Sequence, residues 1–236
     1  MNPLLDTTRK NYYLLEDLLR GTEASIKEGQ RRYLAYFLGR ENVLDVGCGR
    51  GEFLELLREA GVSARGIDVN PFMVERCRDK GLSVEERDAL EYLRALPDDG
   101  LGGVFMAQVV EHLAQPYLEE LLETVFWKLS PGAALVAETV NPQNLTVFSG
   151  SFYADPTHIK PVHPAMLKRL LGIIGYRSID LIFSVPTAAE DRCRMLPVGE
   201  IADPELRALA AVVNENFRKV NDVLFGFANY AVVGLR

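Results

Sequence analysis

The sequence predicts an α/β fold: an open, mostly parallel sheet covered by helices on both faces. Three observations predict it. From residue 42 onward, short apolar runs alternate with amphipathic stretches at the spacing of strand–helix units. A glycine-rich turn, Gly47-Cys48-Gly49-Arg50-Gly51, stands between the first apolar run and the first helical stretch that follows it. The 236 residues, 48% hydrophobic and 25% charged, suit one globular domain of this kind with room for appended elements.

Residues 8–38 read as two helices broken at Arg20-Gly21-Thr22. Thr22 is a suitable N-cap, and Ile26, Tyr33, Leu34 and Phe37 give the second helix an apolar stripe. Residues 1–39 are therefore expected to pack as a helical extension on a core domain of residues 40–236. Strands are expected at 42–46, 64–68, 83–86, 103–107, 133–140 and 176–184, with an edge strand at 225–235. Between them, residues 52–60 form a helix ended by Gly61, and Asn70-Pro71 caps another. Further helices follow residue 88, span 116–129 and run from His163-Pro164 to Gly175. In the 116–129 helix, Leu118, Leu121, Leu122, Val125 and Leu129 fall on the buried side.

Two segments break the alternation. Residues 141–162 form a long loop rich in Asn, Pro, Ser and aromatic side chains, and loops of that length are often functional. Residues 187–224 form an insertion ending in a helix capped by Asp203-Pro204. Its apolar positions are Leu206, Leu209, Val213, Phe217, Val220 and Leu224. With Leu206, Val213, Phe217 and Leu224 turned inward, this helix either covers a substrate site or forms a homodimer contact.

Composition narrows the function classes. The net charge of −7 argues against a nucleic-acid backbone as partner. Cys48, Cys77 and Cys193 have neither disulfide-framework nor zinc-ligand spacing, so no metal site is read from them and a cytoplasmic location is expected. No apolar run reaches the roughly 20 residues of a transmembrane span, and residues 1–10 lack a signal-peptide core.

The glycine turn carries the strongest chemical signal. Glycines at 47, 49 and 51 accept positive φ and let a ligand approach the backbone, and the helix after them points free amides at the turn. Asp68 ends the second strand, roughly 20 residues further on, where a carboxylate accepts from ribose hydroxyls. Asp88 ends the third strand beside Ala89, where a carboxylate can accept from an adenine amine. Either aspartate alone could be a solvated loop acid; their placement at successive strand ends favours a nucleoside site.

The turn reads Gly47-x-Gly49-x-Gly51, preceded by Asp45, whereas the dinucleotide pattern is Gly-x-Gly-x-x-Gly. The shorter form resembles the first motif of class I S-adenosylmethionine-dependent methyltransferases. Gly66-Ile67-Asp68-Val69-Asn70 is similar to their second motif, and Asp88-Ala89-Leu90 to their adenine-contacting segment. Phe105-Met106-Ala107-Gln108-Val109-Val110-Glu111-His112-Leu113 resembles their fourth-strand segment, and residues 129–136 the turn into their fifth strand. The resemblance covers residues 40–185. It implies a Rossmann-like seven-stranded sheet with the last strand antiparallel, S-adenosylmethionine as cofactor and S-adenosylhomocysteine as product. It further implies that Gly47, Gly49 and Gly51 pass under the methionine and ribose. Asp68, with Val69 beside it, would hold the ribose; Asp88 and Ala89 the adenine; Gln108 would lie by the methionine end. Asp45 would orient the turn and the ammonium group. Arg20-Gly21-Thr22, Arg31-Arg32-Tyr33 and Asp155-Pro156-Thr157-His158 resemble segments of methyltransferases of bacterial surface-polysaccharide assembly.

Methyl transfer needs an aligned acceptor, and a general base only where the acceptor must lose a proton. The candidates are His158, paired with Asp155 in the long loop, and His112, after the fourth strand at the ligand-binding edge of the sheet. Tyr153, Asp155 and His158 are expected to face a small-molecule or glycan acceptor, most readily at oxygen. His163, before a proline, reads as a helix cap. Arg31, Arg32 and Lys160 could hold an anionic acceptor but read by default as solvated charges. The competing readings are a non-catalytic cofactor-binding module of the same fold and a nicotinamide-dependent oxidoreductase.

Overall fold

The protein is described by a computed structural model over residues 3–236. It opens with helices α1 (Pro3–Leu19) and α2 (Glu23–Gln30) and a 3-10 segment at Arg31–Tyr36. The Thr22 hydroxyl accepts from Ser25 N at 3.2 Å, which satisfies one of the free amides at the start of α2. The alternation then begins with β1 (Val43–Val46), α3 (Glu52–Glu59), β2 (Ala64–Asp68) and α4 (Pro71–Asp79). It continues with β3 (Val84–Glu86), α5 (Ala89–Arg94), β4 (Leu101–Ala107), α6 (Gln115–Lys128) and β5 (Leu129–Val140). Two short helices follow, α7 (Leu145–Ser149) and α8 (Ser151–Ala154), then α9 (Pro164–Ile174) and β6 (Arg177–Pro186). The chain closes with α10 (Pro204–Leu224) and β7 (Phe227–Leu235).

The strands make one seven-stranded sheet in the order β3-β2-β1-β4-β5-β7-β6. The pairs among β3, β2, β1, β4 and β5 are parallel, and β7 runs antiparallel to both β5 and β6. β1 is buried at every position, as expected of a central parallel strand covered on both faces. On one face Leu44, Val104, Leu121, Leu135 and Tyr230 form the larger core. On the other, Tyr33 and Phe37 from the amino-terminal segment are fully buried with Phe53 and Phe105. The Phe53 and Phe105 rings stack with centroids 3.7 Å apart, and Phe37 meets both edge-on.

Four expectations are corrected. The carboxy-terminal strand is not at the edge: β7 lies between β5 and β6, its run Tyr230–Val233 is buried, and β6 is the outer strand. Chain order suggested an edge, but an apolar run buried on both faces requires a neighbour on each side. The fifth strand starts at Leu129 and includes Pro131-Gly132; Gly132 takes φ +76° and its amide donates to Arg236 O, so the expected turn is an irregularity within the strand. The long loop contains α7 and α8, started by the Asn144 side chain, which accepts from Thr146 N. Finally, α10 turns Ala210, Asn214 and Asn221 inward, and Leu206 is 57% exposed. The reason is polar: Asn214 bonds the backbone N and O of Leu196, and Asn221 those of Cys193. The insertion thereby packs on the amide face of the helix; Val213, Phe217 and Leu224 are half-buried, as expected of inward positions, whereas Leu206, Leu209 and Val220 are left outward.

Candidate functional site

The glycine turn leaves β1 at the carboxyl edge of the sheet, with Gly47, Gly49 and Gly51 at φ +67°, +52° and +82°. Its geometry is held by the neighbouring strand. Gly47 N donates to Ile67 O at 2.8 Å, and Gly49 N donates to Asp68 Oδ2 at 2.9 Å. Asn70 N donates to Asp68 Oδ1 at 2.8 Å, and the Asn70 side chain caps α4. Burial raises the Asp68 carboxyl above its ordinary range, against the lowering effect of the Asn70 and Gly49 amides.

A cavity of about 430 Å³ opens above this turn. Its walls come from successive strand ends: Gly47, Asp68 with Val69, Asp88 with Ala89, and Gln108. Asp88 caps α5 by accepting from Glu91 N at 3.0 Å, and it accepts from Tyr117 Oη at 2.7 Å. Burial, then the Asp88 partner, pushes Tyr117 up to about 12. Gln108 takes φ +56°, a conformation uncommon for a residue with a side chain, and its buried Nε2 lacks a hydrogen-bond partner of normal geometry. A carboxylate, apolar walls from Ile67, Leu113 and Leu121, and an unsatisfied amide fit a nucleoside with a polar tail.

Not every residue expected at this site lines the cavity. Gly51 packs away from it: a Cβ there would meet Leu82 Cδ1 at 2.5 Å and Cys77 Sγ at 2.9 Å, so its role is to let α4 close on the turn. Asp45 is buried in β1 at 3% exposure, outside the cavity walls, and its burial raises its carboxyl well above the usual range. Gly49 is covered by Arg20, whose guanidinium a Cβ at that glycine would strike. Arg20, noted in the sequence only as part of a resembling segment, is one of the site residues the sequence reasoning missed. It lines the cavity and stands 3.9 Å from Glu52, and the available signal was its place at the break between α1 and α2. Tyr117 and Thr157 were missed as well.

The cavity is also lined by His112 and Thr157. His112 closes a 3-10 turn after β4, and the loop carrying Thr157 is fastened to that turn: Ile159 N donates to Glu111 O at 2.9 Å. Thr157 Oγ1 lies 2.8 Å from His112 Nδ1 and donates to Asp155 Oδ1 at 2.6 Å. A hydroxyl has one proton, so with that proton on Asp155 it accepts from His112 Nδ1–H. His158 Nδ1 lies 2.6 Å from Phe152 O, which can only accept, so His158 also carries its proton on Nδ1. The two rings sit 4.6 Å apart, and the hydrogen bonds that hold them both go through Nδ1. Burial and the neighbouring His158 hold His112 below its ordinary range. Burial raises Asp155, but the two Thr157 hydrogen bonds and the imidazoles outweigh it and hold the carboxyl low.

The loop is thus split. Thr157 faces the cavity, Asp155 stands behind it as an orienter, and His158 backs His112. Tyr153 does not line the cavity: it is 73% exposed, with its ring edge-on to Phe152 and tilted against Phe148. His163 accepts from Ala165 N and caps α9. Arg31 pairs with Glu28 and Arg32 bonds Gly29 O, away from the cavity.

An open sheet whose central parallel strands end on a glycine turn, with acids at the next two strand ends, defines a nucleoside-cofactor-binding fold. Comparison with known proteins makes this specific. The chain is 39% identical to an S-adenosylmethionine-dependent methyltransferase of Archaeoglobus fulgidus of known crystal structure, covering 95% of this chain and 99% of that one with a TM-score of 0.89. The chain belongs to the S-adenosylmethionine-dependent methyltransferases. A family model described as methionine biosynthesis protein MetW matches residues 34–126. A Mycolicibacterium smegmatis protein named "probable S-adenosylmethionine-dependent methyltransferase" is 27% identical over 63% of this chain and 57% of its own length. The mitochondrial ubiquinone biosynthesis O-methyltransferase of Mus musculus is 29% identical over 60% of this chain and 38% of its own length. The chain therefore spans 57% and 38% of these two curated relatives.

The cofactor of this family is S-adenosylmethionine, and Asp68 gives a direct test of how the cavity holds it. Asp68→Ala is expected to weaken S-adenosylhomocysteine binding by about 1.5–3 kcal/mol, the scale of a lost charge-assisted hydrogen bond. Calorimetry on a folded variant with unchanged affinity would overturn the assignment of Asp68 to the ribose.

Proposed function

We propose that the protein methylates an oxygen of a small-molecule or glycan acceptor held against the His112–His158 pair. The observation that carries this reading is that one cavity is lined both by Gly47, Asp68 and Asp88 and by His112 and Thr157. When bound, S-adenosylmethionine supplies a methyl group on a sulfonium leaving group. The chain's own part is to align the acceptor, exclude water and handle its proton. A hydroxyl must lose its proton as it is methylated, and two imidazoles anchored through Nδ1, with Nε2 left to take a proton, suit an acceptor of that kind. The net charge of −7 disfavours nucleic acid as the acceptor. The mouse relative is named an O-methyltransferase, which supports oxygen.

The test is turnover of labelled S-adenosylmethionine with a panel of phenols, sugars and carboxylates. Methylation of hydroxyl acceptors is expected. Transfer to carboxylates alone would remove the proton-handling role. Cofactor binding with no transfer to any acceptor would leave the non-catalytic module as the reading, and binding of a nicotinamide cofactor in place of S-adenosylmethionine the oxidoreductase.

A homodimer through α10 belongs to the same proposal. Leu206, Leu209 and Val220 are exposed along one helix that carries both charge signs at each end, Glu205 with Arg207 and Arg218 with Asp222. An antiparallel second copy would bury the apolar positions and pair opposite charges. Sedimentation is expected to give a dimer that Leu209→Glu dissociates; a monomer at all concentrations would overturn it.

A further inference from the structure

We propose that Glu111, His112 and His158 bind a divalent transition-metal ion of the zinc class at the acceptor end of the cavity. One ligand atom from each of the three residues can be chosen so that all lie within 4.8 Å of one another. Ligands placed roughly 2.1 Å from a single ion stand about 3–4 Å apart, so side-chain adjustment of about an ångström closes the site. Two imidazoles and one carboxylate form a donor set suited to zinc, cobalt or ferrous iron rather than to calcium or magnesium.

Two further observations point to a cation. The first is Glu111. It is fully buried, and neither carboxylate oxygen has a hydrogen-bond partner among the described residues; the nearby Thr139 hydroxyl falls outside bonding geometry. An unpaired buried carboxylate is costly unless a positive charge joins it.

The second is the way the histidines are held. Metal-ligating imidazoles characteristically donate the other ring N–H to a carbonyl or carboxylate, which fixes the tautomer and the ring. His158 donates from Nδ1 to Phe152 O. His112 donates from Nδ1 to Thr157 Oγ1, which in turn donates to Asp155. Both rings are therefore oriented from behind, with the same nitrogen free.

Three protein ligands leave coordination positions open, and His112 lines the cavity. An ion there would hold both Nε2 lone pairs and could take an acceptor oxygen as its next ligand, making that hydroxyl acidic enough to give its proton to solvent instead of to the imidazoles. That role rests on the acceptor placement proposed above; the binding of the ion does not.

The experiment uses untagged full-length protein stripped with a chelator, then titrated with Zn(II) by calorimetry and with Co(II) by visible absorption, without S-adenosylmethionine. One ion per chain is expected, with a Co(II) ligand-field band. Glu111→Gln, which keeps the shape of the side chain, and His158→Ala should each weaken binding by at least about 100-fold. His163→Ala should leave it unchanged. Circular dichroism and thermal melts of each variant separate lost ligation from lost folding. No ion bound, or binding that survives both Glu111→Gln and His158→Ala, overturns the site. Full methyl transfer by chelator-treated, ion-free protein also overturns its role while leaving the proposed methyltransferase reading intact. Loss of cofactor binding with the ion still bound would overturn that reading and leave the site standing.

Discussion

Gly49→Val is expected to weaken S-adenosylhomocysteine binding by about 100-fold or more, equivalent to at least ~2.8 kcal/mol at about 1.4 kcal/mol per tenfold. Two effects combine. The residue sits at φ +52°, where a β-branched side chain is a steric outlier, so the turn must rearrange. Any Cβ there also strikes the Arg20 guanidinium, and displacing the backbone breaks the bond from Gly49 N to Asp68. Gly61→Val separates strain from site: that glycine has φ +72° with open space around its Cβ, at the end of α3. It should cost stability in a thermal melt and leave cofactor affinity unchanged. If both variants bind S-adenosylhomocysteine like the unmodified protein, the turn is structural only.

His158→Ala is expected to lower turnover by about 10²–10⁴-fold, the range of a lost proton-handling or acceptor-activating group. Cofactor affinity should scarcely change, because His158 stands behind His112 at the acceptor end and does not touch the Asp68 side of the cavity. The comparison needs an acceptor assay and a cofactor titration on the same variant. A modest loss of turnover with a raised acceptor KM would make His158 a positioning residue. Unchanged kinetics would show that the loop from Asp155 to His158 takes no part in the reaction.

The parallel half of the fold was legible because its signals are local. Asn70-Pro71 is a helix start wherever it occurs, and the glycine turn needs only its flanking strand and helix to be read. The end of the sheet was not legible in the same way. Whether residues 227–235 lie at an edge or between two strands depends on a partner chosen at long range, β5 on one side and β6 on the other. In α10 the apolar spacing was read correctly as helical, but the side turned inward was decided by Asn214 and Asn221 reaching backbone groups of a loop the sequence could not place.

The site divides similarly. Asp68 and Asp88 follow from strand position alone. Arg20 does not, because the amino-terminal helices reach the turn through tertiary contacts and no motif links residue 20 to residue 49. Glu111 was passed over as part of a motif segment; only its burial without a partner marks it. The His158–Asp155 pairing expected from proximity is replaced by Asp155–Thr157–His112, with His158 held by a carbonyl instead.

The two sides of the cavity are fastened by different forces. The loop from Asp155 to Lys160 is sewn to the turn after β4 by main-chain bonds, with the amides of Ile159 and Lys160 both donating to Glu111 O. The amino-terminal helices are joined to the turn and to α4 largely by ions: Arg50 reaches Asp17 at 3.0 Å and Gly21 O at 2.8 Å, Arg76 reaches Asp17 at 3.1 Å, and Lys80 reaches Glu23 at 2.8 Å. Salt weakens partly exposed charge pairs and leaves amide–carbonyl bonds nearly untouched. Ionic strength is thus a one-sided lever on this protein: it loosens the wall that carries Arg20 and leaves the wall that carries His158 in place.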